Sequence, residues 1–149
     1  MKNHVVSLML LLIVVGAGAL SVNAQSGYAV RANVPFDFIV GDKTFQAGEI
    51  TAQRKSLSTS DPLVIRSSDY STLAVQLTRI IEGGRMADQA KLVFRRYGNR
   101  YYLAEVWTSG DIGSRLFKSP SEKALEREMR HLAKNAYQPE LITVLATVE

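Results

Sequence analysis

From Val30 to Val40 every second residue is apolar: Val30, Ala32, Val34, Phe36, Phe38 and Val40 alternate with Arg31, Asn33, Pro35 and Asp37. A period of two held for that long requires a strand with one buried face, and it excludes a helix. Pro35 has no N–H to give to a ladder, so this strand lies at a sheet edge or is bulged there. Gly41-Asp42 then forms a turn, and “TFQAGEITAQ” reads as the returning strand, with Gly48 marking a bulge or bend. The expectation is a β-hairpin whose aromatic side chains belong to the core.

The same alternation recurs downstream. “PLVIRS” (62–67) and “STLAVQLTRII” (71–81) read as strands, with Leu73, Val75 and Leu77 on one face. “EGGRMADQ” reads as a polar loop broken by two glycines. In “KLVFRRYGNRYYLAEVW” (91–107), Gly98-Asn99 suits a two-residue hairpin turn. That register sets Phe94 against Leu103 and Arg95 against Tyr102. “TSGDIGSRLFK” reads as a loop. A helix is expected at about 120–135. Ser119 is its cap, Pro120 its first residue, and Glu122 is placed to close a capping box. Leu125, Met129 and Leu132 form its apolar stripe, and Glu126 can pair with Arg130. “LITVLATV” (141–148) is a last strand. About seven short strands and one late helix predict a mainly β domain, an antiparallel sandwich or barrel.

Ahead of this domain, residues 1–24 have the order of a secretory signal peptide. Lys2 leads, Val5–Leu20 is an apolar run, and Val22 and Ala24 are the small residues of a cleavage site before Gln25. The run falls short of the roughly 20 residues of a spanning helix. The expected mature part is therefore residues 25–149, a single domain that is exported to the periplasm or beyond and does not span a membrane. Removing Lys2 lowers the net charge from +4 to +3. That mild excess allows an anionic partner without requiring one. The chain has no cysteine, and a domain of this length can bury enough surface to fold without disulfide staples.

“VPFDFIVGDKTFQAGEI”, “LVIRSSD”, “KLVFRRYGNRYYLAEVW” and “KSPSEKALERE”, in this order after a signal segment, resemble a family of small exported bacterial proteins, chiefly of acidobacteria. The resemblance covers most of the mature chain and is specific as a set rather than piece by piece. Relatives tend to carry Pro before the “AG” and an aromatic two residues after it, where this chain has Gln46 and Ile50. The resemblance implies export and a β-rich fold, and it brings no catalytic residues to carry over.

Chemistry is sparse. Without cysteine, and with His131 the only histidine after the signal segment, the usual zinc sets and a cysteine nucleophile are excluded. No Gly-x-Ser-x-Gly elbow and no phosphate-cradling glycine motif occurs, so neither a metal nor a cofactor is expected. Asp37, between Phe36 and Phe38, and Glu105, in “YLAEVW”, are the carboxylates that could serve a small enzyme if burial raised their pKa values. Asp37 has solvent parity. Glu105 has the parity of Leu103, and an ion pair with a strand arginine such as Arg66 or Arg79 accounts for it more simply. The hairpin “FRRYGNRYY” gathers arginine and tyrosine, which suit anionic polymers or lipid head groups. Its register assigns Arg95, Arg100, Tyr97 and Tyr102 to one face, the expected anion-binding face, and Arg96 with Phe94 to the other. For an exported protein no nucleic acid partner is expected. Three readings follow, in this order: a non-catalytic exported β-domain with a binding or structural role, an anion binder acting through residues 94–102, and a small enzyme using Asp37 or Glu105. Phe36, Phe38, Phe94, Leu103 and Trp107 are the expected core.

Overall fold

A computed structural model describes residues 28–149 except 57, 59, 60, 88, 109 and 134–136; the side chains of 84–87, 110 and 111 also lie outside it. The signal-segment expectation falls on residues outside those described. The described chain is mainly β. Its strands are β1 (Tyr28–Val34), β2 (Phe38–Val40), β3 (Lys43–Phe45), β4 (Gly48–Arg54), β5 (Leu63–Ser67), β6 (Leu73–Gln76), β7 (Thr78–Ala87), β8 (Lys91–Tyr97), β9 (Arg100–Trp107) and β10 (Gly110–Leu116). The helix α1 (Pro120–Leu132) follows, then β11 (Glu140–Leu145) and β12 (Thr147–Val148). No helix among the described residues is long and apolar enough to cross a membrane.

The strands form two unclosed sheets, as in a sandwich. One has the order β12-β1-β4-β5-β6; the other has β11-β8-β9-β10-β7, with β2 parallel to β9 and β3 antiparallel to β2. Among the described residues twelve strands appear where the sequence suggested seven, because four long runs each break and pass from one sheet to the other and because β10 forms where a loop was expected. The first breaks at Pro35–Asp37, the second at Gln46–Ala47, the third at Leu77 and the fourth at Ala146. The expected first hairpin is thus bent. β1 pairs β4 in one sheet, while β2 and β3 form the tip in the other. Gly48 takes φ +150° at the bend, a conformation that side-chain-bearing residues avoid. Asp37 Oδ1 accepts the N–H of Ala47 at 2.8 Å, tying the two crossings together.

Two expected loops are strands. β7 runs through Gly83 and Gly84, and β10 through Gly110 and Gly113, because the two pair with each other antiparallel. A long ladder outweighs the low strand propensity of glycine. Gly113 has a specific reason to be glycine: a Cβ there would lie 2.7 Å from the ring of Trp107, its partner on β9.

The core lies between the sheets and is aromatic at its centre. Phe38 stacks on Phe45 (centroids 5.1 Å) and meets Phe94 edge-on at 5.2 Å. Phe36 is partly buried, edge-on to Phe94 and stacked on Tyr101. The expected register of β8 and β9 is present, with Phe94 opposite Leu103 and Arg95 opposite Tyr102, but it shifts before Val93, which faces Glu105. Ala104 is the extra residue of that bulge. The bulge puts both Leu103 and Val106 in the core and turns Glu105 and Trp107 away from it. Trp107, expected in the core, is instead half-buried on the outer face.

Helix α1 starts as expected: Ser119 Oγ accepts from the N–H of Glu122, and Pro120 opens the first turn. The second half of the capping box is not made, because the Glu122 side chain turns to the sheet. Glu126 pairs with Arg130 at 2.9 Å and with Lys118 at 2.7 Å. The expected apolar stripe is not buried. Leu125 and Met129 are half-covered, Leu132 is exposed, and Glu122 is the buried residue of the helix.

Candidate functional site

The hairpin singled out in the sequence holds a buried ion pair. Arg95 lies on the face of β8 opposite Phe94, and the first turn of α1 covers it. Arg95 is 8 % exposed and Glu122 2 %. Arg95 Nε donates to Glu122 Oε1 at 2.5 Å, and its NH2 group donates to Oε2 at 3.1 Å, the forked geometry that suits arginine and carboxylate. The Tyr97 hydroxyl donates to Glu122 Oε1 at 3.1 Å, and Tyr97 meets Tyr102 edge-on at 5.7 Å. All of these side chains are buried. The expectation that Arg95, Tyr97 and Tyr102 form a ligand-facing surface is therefore corrected: α1 occupies that face. Arg100 alone of the four is exposed. Arg96 closes the tip, pairing with Glu140 at 3.1 Å and lying 5.6 Å from the Tyr101 ring.

Burial first, and the negative charge of Glu122 second, hold the pKa of Tyr97 well above the ordinary tyrosine value. A folded pKa above the unfolded one gives stabilisation that is complete below about pH 10 and is lost as pH rises. The native chain is therefore expected to lose melting temperature faster than Tyr97→Phe between about pH 9.5 and 11. Parallel curves for the two proteins would show that the phenol ionises without cost to the fold.

The two candidate catalytic carboxylates are committed elsewhere and stand apart. Glu105 accepts from Trp107 Nε1 at 2.8 Å and from Arg115 Nε at 2.9 Å, on the outer face where the Ala104 bulge puts it. Its partner is a strand arginine, though Arg115 rather than Arg66 or Arg79. Asp37 holds the Ala47 N–H. His131 is exposed on α1.

A groove of about 570 Å³ lies at the seam of the sheets. It arises because β12 pairs β1 only at Val30–Arg31, after which Ala146 turns to bond the carbonyl of Ala90. Asn33, Gln89, Leu145 and Thr147 line it, with Arg31 at the rim between Glu49 and Glu149. Neither Glu105 nor Asp37 reaches it.

Sequence reasoning missed Arg54. It is buried at the junction of the sheets, where its guanidinium donates to Thr78 Oγ1 (2.9 Å), Ser114 Oγ (2.7 Å) and the carbonyls of Ser58 (2.8 Å) and Asp61 (2.6 Å). Nε has no partner. Burial pulls its pKa below the ordinary arginine value, and the carboxylate of Asp61 opposes that pull. The signal was present in the alternation, since Arg54 has the parity of the core residues Ile50 and Ala52. No family model, curated protein or solved structure matches the chain.

Proposed function

We propose that residues 25–149 are an exported, non-catalytic β-domain that binds or organises material in the cell envelope or outside the cell. The observation that carries this reading is the make-up of the seam groove. A groove holding Glu105 would favour an enzyme, and a flat basic face on the hairpin would favour an anion binder. The groove instead has ion-paired charges at its rim and a mixture of uncharged polar (Asn33, Gln89, Thr147) and apolar (Ala32, Ala90, Leu145) side chains within, and the hairpin arginines Arg95 and Arg96 are already paired. A surface of that kind suits recognition by shape and hydrogen bonding rather than proton transfer. The resemblance to small exported bacterial proteins agrees with this reading, as does the signal-like order of residues 1–24. Both described sheets and their core lie within residues 28–149.

Screening residues 25–149 against arrays of envelope glycans and lipids, and against ester, glycoside and peptide probes, tests the reading. Saturable binding to one class, with no turnover of any probe, is expected. Turnover that disappears in Glu105→Gln or Asp37→Asn would replace this function with the enzyme reading.

A further inference from the structure

From Leu73 to Arg79 the odd-numbered side chains point outward. Leu73, Val75 and Leu77 are exposed, Leu77 to 64 %, while Ala74 and Thr78 at alternate positions are buried and Gln76 is half-buried. β6 is an edge of one sheet and β7 an edge of the other, so the row follows the corner where the chain passes between sheets. On β5, Val64 lies opposite Val75 and Arg66 opposite Leu73. Tyr70 stands on the β5–β6 turn, 72 % exposed and at φ +59°, with the Arg66 guanidinium 4.6 Å from its ring. A bulky residue held in the left-handed region at an exposed tip is uncommon and points to use.

Part of the positive charge around this row is left without an ion pair among the described residues, as it also is at Arg100 on the hairpin and Arg127 on α1. Arg31, Arg95, Arg96 and Arg115 are all paired with carboxylates. Arg66 and Arg79, which flank the row, make no ion pair with a described residue, and the Lys43 ammonium sits on the Leu73 carbonyl at 2.7 Å. Asp69, the acid of the turn, accepts the N–H of Ser71.

We infer that this corner docks on an anionic lipid bilayer. The aliphatic row and Tyr70 enter the interface, and Arg66, Arg79 and Lys43 meet the lipid phosphates. Two features argue against a second copy of the chain as the occupant. A two-fold contact through the row would set the arginines against their own twins, and Lys43 blocks the Leu73 carbonyl that edge-to-edge strand pairing would use. A polysaccharide would leave the aliphatic row without a counterpart. The inference rests on the binding reading above only for where such a bilayer is met, and the two can fail separately. Residues 25–149 could retain a glycan in the array and still ignore vesicles.

Co-sedimentation of residues 25–149 with vesicles of phosphatidylglycerol and phosphatidylcholine tests it, against vesicles of phosphatidylcholine alone. Binding to the anionic vesicles should weaken as salt rises. Each cation removed should cost about five-fold in partitioning, so Arg66→Ser with Arg79→Ser should lower it about 25-fold. Leu77→Ser should also weaken it, whereas Arg100→Ser, on the β8–β9 turn, should match the wild type. Melting temperatures of these variants should stay unchanged. Equal binding to both vesicle types, no binding, or a loss in Arg100→Ser equal to that of the double variant would overturn the inference. A concentration-dependent dimer abolished by Leu77→Ser would assign the surface to a second copy instead.

Discussion

Glu122→Ala is expected to lower the free energy of unfolding by about 3–5 kcal/mol, the range found when one partner of a buried ion pair is removed. The Arg95 guanidinium would stay beneath α1 with no carboxylate to receive its forked hydrogen bonds, and the Tyr97 hydroxyl would lose its acceptor. Small domains have only about 5–15 kcal/mol in total, so urea denaturation at neutral pH should register the change clearly. Arg95→Met combined with Glu122→Leu should lose less than Glu122→Ala alone, because no buried charge is then left unpaired. A loss below about 1 kcal/mol for Glu122→Ala would place the pair in the class of solvent-exposed ion pairs, and α1 could not then cover Arg95 as described.

Phe94→Ala should cost a similar amount, about 3–5 kcal/mol, by a different mechanism. Phe94 is fully buried and meets Phe36 and Phe38 edge-on. Removing the ring leaves a cavity between β-sheets that cannot collapse onto it without moving the Phe38–Phe45 stack. Trp107→Ala should cost less despite the larger side chain, since the indole is half-buried and lies over Gly113 on the outer face. If the tryptophan variant proved the more damaging, the bulge at Ala104 would be misplaced and Trp107 would belong to the core.

That contrast shows what the sequence could and could not reveal. Alternation identified the strands containing Phe38, Phe94 and Leu103, and Gly41 and Gly98 marked their turns, because strand period and positive φ are local properties. The helix start at Ser119 was equally local. Pro35 and Gly48 marked the breaks, but which sheet each half joins depends on partners distant in sequence. The extra residue at Ala104 is invisible in a list of residues, and it carried Glu105 and Trp107 onto the opposite face from the one parity gave them. β10 was hidden because Gly113, poor in a strand by propensity, is required by the Trp107 ring.

The candidate site was misread for a related reason. Arg95 has outward parity, so exposure was the natural inference. Glu122 had a sufficient explanation as a capping residue. Nothing local announces that the first turn of α1 lands on β8 and makes a pair of two residues 27 positions apart. Arg54 differs: it shares the parity of Ile50 and Ala52, and a charged residue on a buried face is itself a signal, one that the reading of the strand as ending at Gln53 passes over.

The basic-aromatic hairpin is part of the scaffold, with Arg95 sealed under α1 rather than offered to a ligand. The most direct measurement is the Nε–H resonance of Arg95 in a nitrogen-15 labelled sample, followed while anionic vesicles and acidic polysaccharide are titrated in. A buried Arg95 should give a resonance protected from solvent exchange at neutral pH, lost in Glu122→Ala, and unmoved by either anion. A resonance that exchanges freely, and shifts saturably as the anion is added, would show that Arg95 faces a ligand and is not sealed under α1.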